Sequence, residues 1–324
     1  MSQPVTLAPV PAAAQRQALQ FLLGGTRSDV LIASRAEALG KLLRSPERRG
    51  DLWWACAGRR CVAAAMVMHN PGRFGLLLYS PTEAPGVDRQ ALAAVARAAA
   101  MEGLKQGATL VQTMVEDGND ADLAMVQAAG FSPLARLAHM RLALARAAID
   151  ESPDLSPSLR SRFGEVGWRS AEQFSMQELG QVITATYEDS LDCPPLHGVR
   201  SIDDVITCHQ ASGVFRPKSW WIIDVGGAAA GCVLMNDSTA GYSAEIVYLG
   251  VAPRFRGQGL GRQMLRHAAA DAKARRLESL ELAVDDQNSY AKRLYESEGY
   301  RVTRRQWAYV MFQNAPARAE SGVL

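Results

Sequence analysis

The chain repeats itself, and this repeat limits its possible folds more than any other feature of the sequence. The pair Trp53-Trp54 opens a segment that resembles two strands joined by a turn, and Trp220-Trp221 opens a similar segment 167 residues later. A helical pattern that stops at Gly130-Phe131 recurs and stops at Gly299-Tyr300, 169 residues later. Because the two matches follow in the same order at nearly the same spacing, they indicate a duplicated domain.

Length and composition agree with two globular domains. The chain has 324 residues, about twice the length of a typical domain. Hydrophobic residues make up 48% and charged residues 21%, which is an ordinary globular balance. The 35 basic and 33 acidic residues leave a formal charge of +2. A chain so close to neutral has no overall field that attracts nucleic acid, so we expect no nucleic-acid partner.

The sequence also predicts the compartment. No stretch approaches the roughly 20 apolar residues that cross a bilayer, so we expect no membrane partner. Residues 1–14 lack a basic segment before an apolar run, which argues against a signal peptide. The five cysteines show no C-x-x-C spacing, as is typical of proteins in a reducing cytosol. The spacing of Cys193, His197, Cys208 and His209 matches no common zinc pattern, so we predict a cytoplasmic protein without a metal.

Both copies predict the same order of elements: a helical start, a hairpin, a long strand, a helix, a strand, a helix and a final strand. Such an order is typical of an α/β fold, more closely an α+β sandwich with a mixed sheet. Residues 147–164 carry two prolines and four serines without a sustained apolar period, which predicts a linker. We therefore expect a first domain at 1–146, a second at 165–314, and a loose tail at 315–324.

The patterns are sharper in the second copy. Residues 244–251 predict a strand, and an apolar stripe from Leu260 to Ala272 with i, i+4 spacing predicts the helix that follows. A second strand is expected at 279–284. A short helix is expected at 289–298, with Asn288 as its N-cap and Gly299 as its stop. His267, on the first of these helices, is expected to be exposed.

A glycine-rich loop joins the strand that ends near Val251 to the helix. Gly257, Gly259 and Gly261 allow successive backbone amides to turn inward, and the helix N-terminus adds partial positive charge, a geometry that binds a pyrophosphate. An unliganded turn is one alternative. A dinucleotide-binding loop is another, but Arg262 occupies the place of its third glycine. A Walker loop requires Gly-Lys-Ser/Thr, which the segment lacks.

The remaining interpretation of the glycine-rich loop rests on a family resemblance. The loop from Arg256 to Gly261 reads RGQGLG and resembles the Q/R-x-x-G-x-G/A signature of the GNAT superfamily of N-acetyltransferases. The strand EIVYLGV precedes it, and Asn288, then Leu294-Tyr295-Glu296, then Gly299-Tyr300 follow in the order of that family. The resemblance is strong over residues 166–312. It implies two tandem copies of the GNAT fold, of which the first is degenerate.

The resemblance implies acetyl-CoA as co-substrate. Backbone amides from the glycine-rich loop would hold the pyrophosphate, the strand edge before it would pair with the pantetheine arm, and the Asn288 side chain would add a further contact. The cofactor-binding residues implied in this way are Leu249, Gly250, Val251, Arg256, Gly257, Gln258, Gly259, Leu260, Gly261, Arg262 and Asn288.

The resemblance also implies direct attack of an amine on the acetyl thioester, which requires a general base and a general acid. Glu245 lies where several members of the family carry the base, and Tyr295 matches the usual acid. The alternatives are a solvated strand carboxylate for Glu245 and an ordinary core aromatic for Tyr295. A non-catalytic protein that binds acyl-CoA or has a regulatory role is the rival function, and it would not need both residues together.

The acceptor site is expected after the predicted helix at 176–187. Tyr187, Asp189 and Asp192 lie there in an irregular segment that contains two prolines and, with Glu188, three carboxylates in five residues. Such a segment suits a cationic amine, so we expect a small-molecule or peptide amine as acceptor. A solvated acidic loop is the alternative.

The first copy departs from the family pattern. When the helix starts RQAL and RQML are aligned, Glu83 falls on Arg256 and Asp88 on Gly261, while Gly72 falls on Glu245. The 169-residue offset places Val126 on Tyr295. Carboxylates repel a pyrophosphate, so we predict that the first copy no longer binds acetyl-CoA and either is structural or supplies a wall of the substrate cleft.

Overall fold

The computed structural model describes residues 4–24, 35–37, 39–40, 49–145, 166–196 and 198–314. The predicted linker at 147–164 and the predicted tail at 315–324 lie outside these residues. The chain forms two compact units. Unit 1 comprises Met1–Leu134 and Trp307–Leu324, and unit 2 comprises Ala135–Gln306.

Unit 1 is built on a mixed sheet. Its elements in chain order are β1 (Val5–Pro9), α1 (Gln15–Leu22), β2 (Arg49–Ala57), β3 (Arg60–Asn70), β4 (Phe74–Tyr79), α2 (Arg89–Lys105), β5 (Leu110–Glu116) and α3 (Asp120–Ala128). Strands β1 to β4 pair antiparallel in order, and β4 pairs parallel with β5. The alanine-rich helix α2 packs on this sheet because residues such as Leu92, Val95 and Ala99 are fully buried.

Unit 2 repeats this plan. Its elements are most of β6 (Ser132–Ala143), β7 (Val166–Ser170), α4 (Met176–Tyr187), α5 (Ile202–Ala211), β8 (Trp220–Val225), β9 (Ala228–Asp237), β10 (Ser243–Val251), α6 (Leu260–Ala274), β11 (Ser279–Asp285), α7 (Ser289–Ser297) and the first half of β12 (Arg301–Phe312). The sheet order is β6-β11-β10-β9-β8-β7, and only β10 and β11 are parallel among these pairs of described strands.

The two halves of the sequence exchange their last strands. Strand β6 belongs to the first half, yet it pairs with β11 of unit 2, from Leu137↔Asp285 to Ala143↔Ser279. The end of β12 in turn belongs to unit 1, where the Gln313 amide donates to the Thr109 carbonyl at 2.9 Å. The compact units are therefore discontinuous in sequence, whereas the domains expected from the sequence follow chain order.

The predicted duplication is confirmed by equivalent backbone positions. The parallel strand pair in unit 1 starts at Phe74↔Leu110, and the one in unit 2 starts at Ser243↔Ser279, 169 residues later in both strands. Each following short helix is capped by an asparagine at the same offset. The Asn119 and Asn288 side chains accept from amides three residues on, at 3.1 and 3.2 Å. The tandem mixed-sheet fold is therefore as predicted.

Two helical layers cover the sheet of unit 2. Residues of α6 and α7 pack on one face, with Met264 and Tyr295 in a core that includes Leu280. Residues of α4 and α5 pack on the other face, against Trp220 and Ile222. Among the described residues, no helix combines the length and the apolarity needed to span a membrane.

The prediction for His267 is wrong. Its ring stacks on Trp168, with ring centroids 4.0 Å apart, and meets the edge of Trp221 at 4.7 Å. The helix pattern alone places His267 on the polar side, but two tryptophans of neighbouring strands extend over that side. The contact depends on residues that are distant in sequence.

Candidate active site

A gap opens between the two parallel strands of unit 2. Strand β10 pairs with β11 over Ser243–Ile246 only, whereas its pairing with β9 continues as far as Val251. A bulge between Ile246 and Tyr248 separates the two stretches, because one extra residue bends the strand. The backbone of Leu249–Val251 is thus the edge of a sheet, which can pair with an extended ligand chain.

The glycine-rich loop follows this edge directly. After a short 3₁₀ turn, Gly257 and Gly259 adopt positive φ values of 70° and 90°, and Gly259 is the N-cap of α6 without a side-chain cap. The amide of Gln263 donates to the Gly259 carbonyl at 3.1 Å. Within the described residues, no acceptor faces the backbone amides of 257–262. Unpaired amides at the start of a helix, together with the helix dipole, are groups that can hold an anion, so the predicted pyrophosphate contact stays a prediction.

Two other glycines permit close packing around the loop. A Cβ at Gly261 would lie 3.2 Å from Leu294 Cδ2, so α6 and α7 approach closely there. A Cβ at Gly250 would lie 2.6 Å from Thr186 Oγ1 and 2.8 Å from Tyr248 Oη. The edge strand is therefore held against the end of α4 at a distance that only glycine allows.

Arg256 connects the edge strand to the expected acceptor segment. Its Nη2 donates to the carbonyls of Thr186 at 3.0 Å and Glu188 at 2.6 Å, and its Nη1 donates to the Asp189 carbonyl at 3.1 Å. Its Nε donates to the Val251 carbonyl at 3.0 Å. The guanidinium thus binds the carbonyls at the end of α4, and its contact with a cofactor stays a prediction.

The Arg262 side chain is also engaged within the protein. Its Nε lies 2.7 Å from the Glu298 carboxylate, and its Nη2 donates to Ser297 Oγ at 3.0 Å. Arg266 pairs with the same carboxylate at 2.8 Å. These bonds tie the start of α6 to the end of α7, so Arg262 can meet an anionic ligand through its backbone amide.

Tyr295 and Asn288 lie on and before α7. Tyr295 is buried, with its ring 6.0 Å from that of Tyr300. Burial and the negative charge of Asp192 raise the pKa of Tyr295, so the phenol stays protonated at neutral pH. Asn288 uses its side chain to cap the helix.

Glu245 lies on β10 before the bulge, in register with Asn236 on one side and Glu281 on the other. Its side chain keeps contact with solvent. Partial desolvation by the surrounding sheet, followed by the like charge of Glu281, raises the pKa of Glu245, and Arg304 opposes the shift. Glu281 itself lies 3.7 Å from Arg141.

The acceptor segment reaches the same part of unit 2. Asp192 Oδ1 accepts from the amide of Asp285, at the end of β11, at 3.4 Å. The charge of Asp192 raises the pKa of Tyr187 and of Tyr295. Asp189 has a positive φ of 52° and reaches Arg256 through its carbonyl. The charge of Asp192 therefore acts on both Tyr187 and Tyr295, whereas Asp189 contributes its backbone carbonyl.

Sequence reasoning missed Tyr248, which lies at the centre of this place. Tyr248 follows the bulge and hydrogen-bonds Thr186 Oγ1 at 2.5 Å, and its ring meets Tyr187 at 5.9 Å and His209 at 5.6 Å. Burial, then the charge of Arg200, lowers the pKa of His209 to about 4. A tyrosine inside the motif strand was a usable signal, but no local pattern predicts which face it takes after a bulge.

Unit 1 shows how the equivalent loop has changed. Asp88 is the N-cap of α2, and its carboxylate accepts from the Gln90 and Ala91 amides, both at 3.0 Å. An open cavity of about 810 Å³ lies beside it. The cavity is lined by Glu83, Arg89, Asp117, Gly118, Asn119, Asp120, Ala121 and Ala124. The carboxylates that line the cavity repel a pyrophosphate, and the helix amides bonded to Asp88 cannot donate to one. Both features disfavour pyrophosphate binding in unit 1.

The predicted alignment of the two loops needs correction. Because both are N-caps, Asp88 is equivalent to Gly259 and not to Gly261. The register of the parallel strands likewise places Leu76, and not Gly72, at the position of Glu245. The loop of unit 1 is thus two residues shorter than that of unit 2, whereas the predicted alignment gave the two loops equal length.

Residues 183–300 match the Acetyltransferase (GNAT) family. Mycothiol acetyltransferase of Beutenbergia cavernae is 28% identical over 182 residues, which cover 54% of this chain and 58% of the relative. Mycothiol acetyltransferase of Thermobispora bispora is 30% identical over 111 residues, covering 33% of this chain and 37% of the relative. The chain therefore aligns with only part of each relative.

Solved structures share the whole architecture. A GCN5-related N-acetyltransferase from Sphaerobacter thermophilus has a TM-score of 0.59 at 17% identity, with 98% of both chains covered. A tandem GNAT protein from the clavulanic acid biosynthesis pathway has a TM-score of 0.53 at 16% identity, covering 97% of this chain and 100% of that one. At these identities the similarity establishes the fold.

Proposed function

We propose that the chain, whose residues 183–300 match the Acetyltransferase (GNAT) family, is an N-acetyltransferase that transfers the acetyl group of acetyl-CoA to an amine in unit 2. The observation that carries the proposal is the adjacency of two binding features. The strand edge Leu249–Val251 leads directly into the unpaired amides at the start of α6. A ligand with a pyrophosphate and an amide-bearing arm fits both features at once.

The chain's own residues would hold acetyl-CoA as follows. Amides of 257–262 would donate to the pyrophosphate, and the absence of side chains at Gly257 and Gly259 leaves room for it. The edge of β10 would pair with the pantetheine amides, which places the thioester near the bulge and Tyr248. The Asn288 side chain is engaged in capping α7, so a pantetheine contact would share its amide group.

The transfer requires two proton movements. Attack of the amine nitrogen forms the N–C bond and breaks the C–S bond, so the nitrogen loses a proton and the thiolate gains one. Glu245 would remove the first, because its raised pKa makes it a better base than an ordinary glutamate. Tyr295 would supply the second, because its phenol is protonated and lies on the buried face of α7.

A non-catalytic acyl-CoA-binding or regulatory protein is the second candidate. Side chains of Arg256 and Arg262 serve the protein's own carbonyls and carboxylates, and a binding protein could use the same loop. The presence of both Glu245 and Tyr295 favours the enzyme. We assign no acetyl-CoA site to unit 1, which is proposed to have a structural role.

A panel of amine acceptors, read as thiol release and as acetylated product by mass spectrometry, tests the proposal. The expected result is that at least one small-molecule or peptide amine increases thiol release well above the slow hydrolysis of acetyl-CoA alone. Acetyl-CoA binding without transfer to any amine would contradict the enzyme and support the binding protein. Failure to bind acetyl-CoA would contradict both.

A further inference from the structure

Arg200 carries a buried nitrogen that lacks a partner. Its Nη1 is shielded from solvent and makes no hydrogen bond with any described residue. Arg200 also forms no ion pair in the part of the chain that the structure describes. Because a buried cationic donor is costly to leave unsatisfied, each such group in a folded protein calls for a partner. The partner that suits a guanidinium best is a carboxylate or a phosphate.

The position of Arg200 places this donor at the acceptor side of the site. It directly precedes Ser201, the N-cap of α5. Burial raises the pKa of Tyr187 at the end of α4, and the positive charge of Arg200 opposes that shift. Burial lowers the pKa of His209 of α5 to about 4, and the charge of Arg200 adds to that shift. Both rings contact Tyr248, the residue after the bulge of β10. The guanidinium therefore lies near the strand edge on which the acyl group is proposed to sit.

A negative charge acts on the same part of unit 2. Burial raises the pKa of Tyr187, Tyr248 and Tyr295, and the charge of Asp192 adds to each shift. Tyr187 is thus under the influence of one cation and one anion that do not pair with each other. This is the charge pattern that complements a small molecule bearing both an ammonium and an anionic group.

We propose that the acceptor is an amine that also carries an anionic group, a carboxylate or a phosphate, and that Arg200 binds this group. The inference rests on the proposed acetyl transfer and narrows its acceptor class. Asp192 attracts the ammonium toward the catalytic side, and Arg200 fixes the opposite end of the molecule through two parallel hydrogen bonds. Arg200 is a binding residue in this scheme and takes no part in proton transfer.

Matched pairs of acceptors test the proposal with the full chain. L-Phenylalanine is compared with phenethylamine, L-alanine with ethylamine, and phosphoethanolamine with ethanolamine. For the wild-type chain we expect kcat/KM to be at least about 10-fold higher for the anionic member of a pair, mainly through a lower KM, as for a charge-assisted bond. The first two pairs report on a carboxylate and the third on a phosphate.

Variants assign the preference to Arg200. In Arg200→Gln the ratio of kcat/KM between the anionic and the neutral member of a pair should fall to about 1, and the KM for acetyl-CoA should be unchanged. Arg200→Lys should keep part of the preference for the anionic member. Lys218→Gln removes a charge from an exposed residue of the same unit and should change nothing. The wild-type comparison needs no variant, so a misfolded Arg200→Gln protein does not leave the proposal undecided.

The outcomes separate this inference from the proposed function. Equal kcat/KM for both members of every pair, or a preference that survives in Arg200→Gln, would overturn the role of Arg200 while acetyl transfer stands. If the wild-type chain acetylates other amines of the panel but no member of any pair, this inference fails while acetyl transfer stands. If it binds acetyl-CoA and acetylates no amine at all, the proposed function fails and this inference fails with it.

Discussion

Asp88 and Gly259 occupy the same position in the two halves of the chain, the N-cap of the long helix, and they leave the helix amides in opposite states. The Asp88 carboxylate binds two of these amides at 3.0 Å. Gly259, with a φ of 90°, has no side chain to do so, and the helix has no side-chain cap. One exchange of residue type therefore separates a self-capped helix from one whose first amides stay open to a ligand.

We expect one molecule of acetyl-CoA to bind per chain. Gly259→Val should weaken binding at least about 10-fold, because a β-branched residue at positive φ costs on the order of 1–2 kcal/mol and fills the space in front of the amides. Gly118→Val is the matched control in unit 1, with a φ of 85° and open space around it. Calorimetry measures both. Saturation at two molecules of acetyl-CoA per chain would contradict this prediction, because it would mean that unit 1 still binds acetyl-CoA.

The pH dependence of turnover should report on Glu245. Below its pKa the base is protonated, so kcat/KM should fall with decreasing pH, and the fall should be centred above the usual glutamate pKa of about 4.3. Glu281→Gln removes the like charge that raises the pKa of Glu245, so it should shift the fall to lower pH. Glu245→Gln should abolish the pH-dependent fall and lower kcat/KM at all pH values. Identical pH profiles of wild type and Glu281→Gln would contradict this assignment.

Tyr295→Phe should lower kcat by about 10²-fold and leave acetyl-CoA affinity nearly unchanged, because a general acid acts in the transition state. Tyr290→Phe is the matched control. Tyr290 lies on the same helix but is 71% exposed, so its variant should turn over at the wild-type rate. Equal rates for the two variants would leave Tyr295 with a packing role only.

The sequence predicted what local patterns determine. The Asn288 cap, the Gly299 stop and the strand at Ser243–Val251 depend on residues within one turn or one strand, and the structure agrees with each. It could not predict the bulge that turns Tyr248 toward α4, or the use of the Arg256 side chain by carbonyls about 70 residues earlier. Both follow from tertiary packing, which no local pattern encodes.

Asp192 and Asp189 should differ in their effects on the acceptor, although both were predicted to bind it. Asp192→Asn should raise the KM of the amine severalfold without changing the KM of acetyl-CoA, because its carboxylate lies near Tyr187 and Tyr295. Asp189→Asn should have the smaller effect, because Asp189 reaches Arg256 through its carbonyl. Steady-state kinetics with saturating acetyl-CoA measures both. A larger effect at Asp189 would reverse this order.

The stability of unit 2 should fall in mild acid because of two histidines. Burial lowers the pKa of His267 to about 4, with Asp271 opposing the shift, and burial with Arg200 lowers that of His209 to about 4. Between pH 6.5 and 4 the unfolded chain therefore binds protons that the folded chain does not. The free energy of unfolding should drop by up to about 1.4 kcal/mol per pH unit for each histidine.

His267→Phe isolates one of these two contributions. A phenyl ring can keep the stacking on Trp168 at 4.0 Å, but it cannot bind a proton in the unfolded chain. The free energy of unfolding is measured by urea unfolding at pH 7 and pH 5, followed by tryptophan fluorescence. Its decrease on acidification should be smaller in the variant than in the wild type, by roughly 1.4 kcal/mol per pH unit, the contribution of one bound proton. Well above pH 6.5 neither the unfolded nor the folded chain binds this proton, so the difference should vanish there. Parallel curves for wild type and variant across this range would mean that His267 is protonated in the folded chain as readily as in the unfolded one.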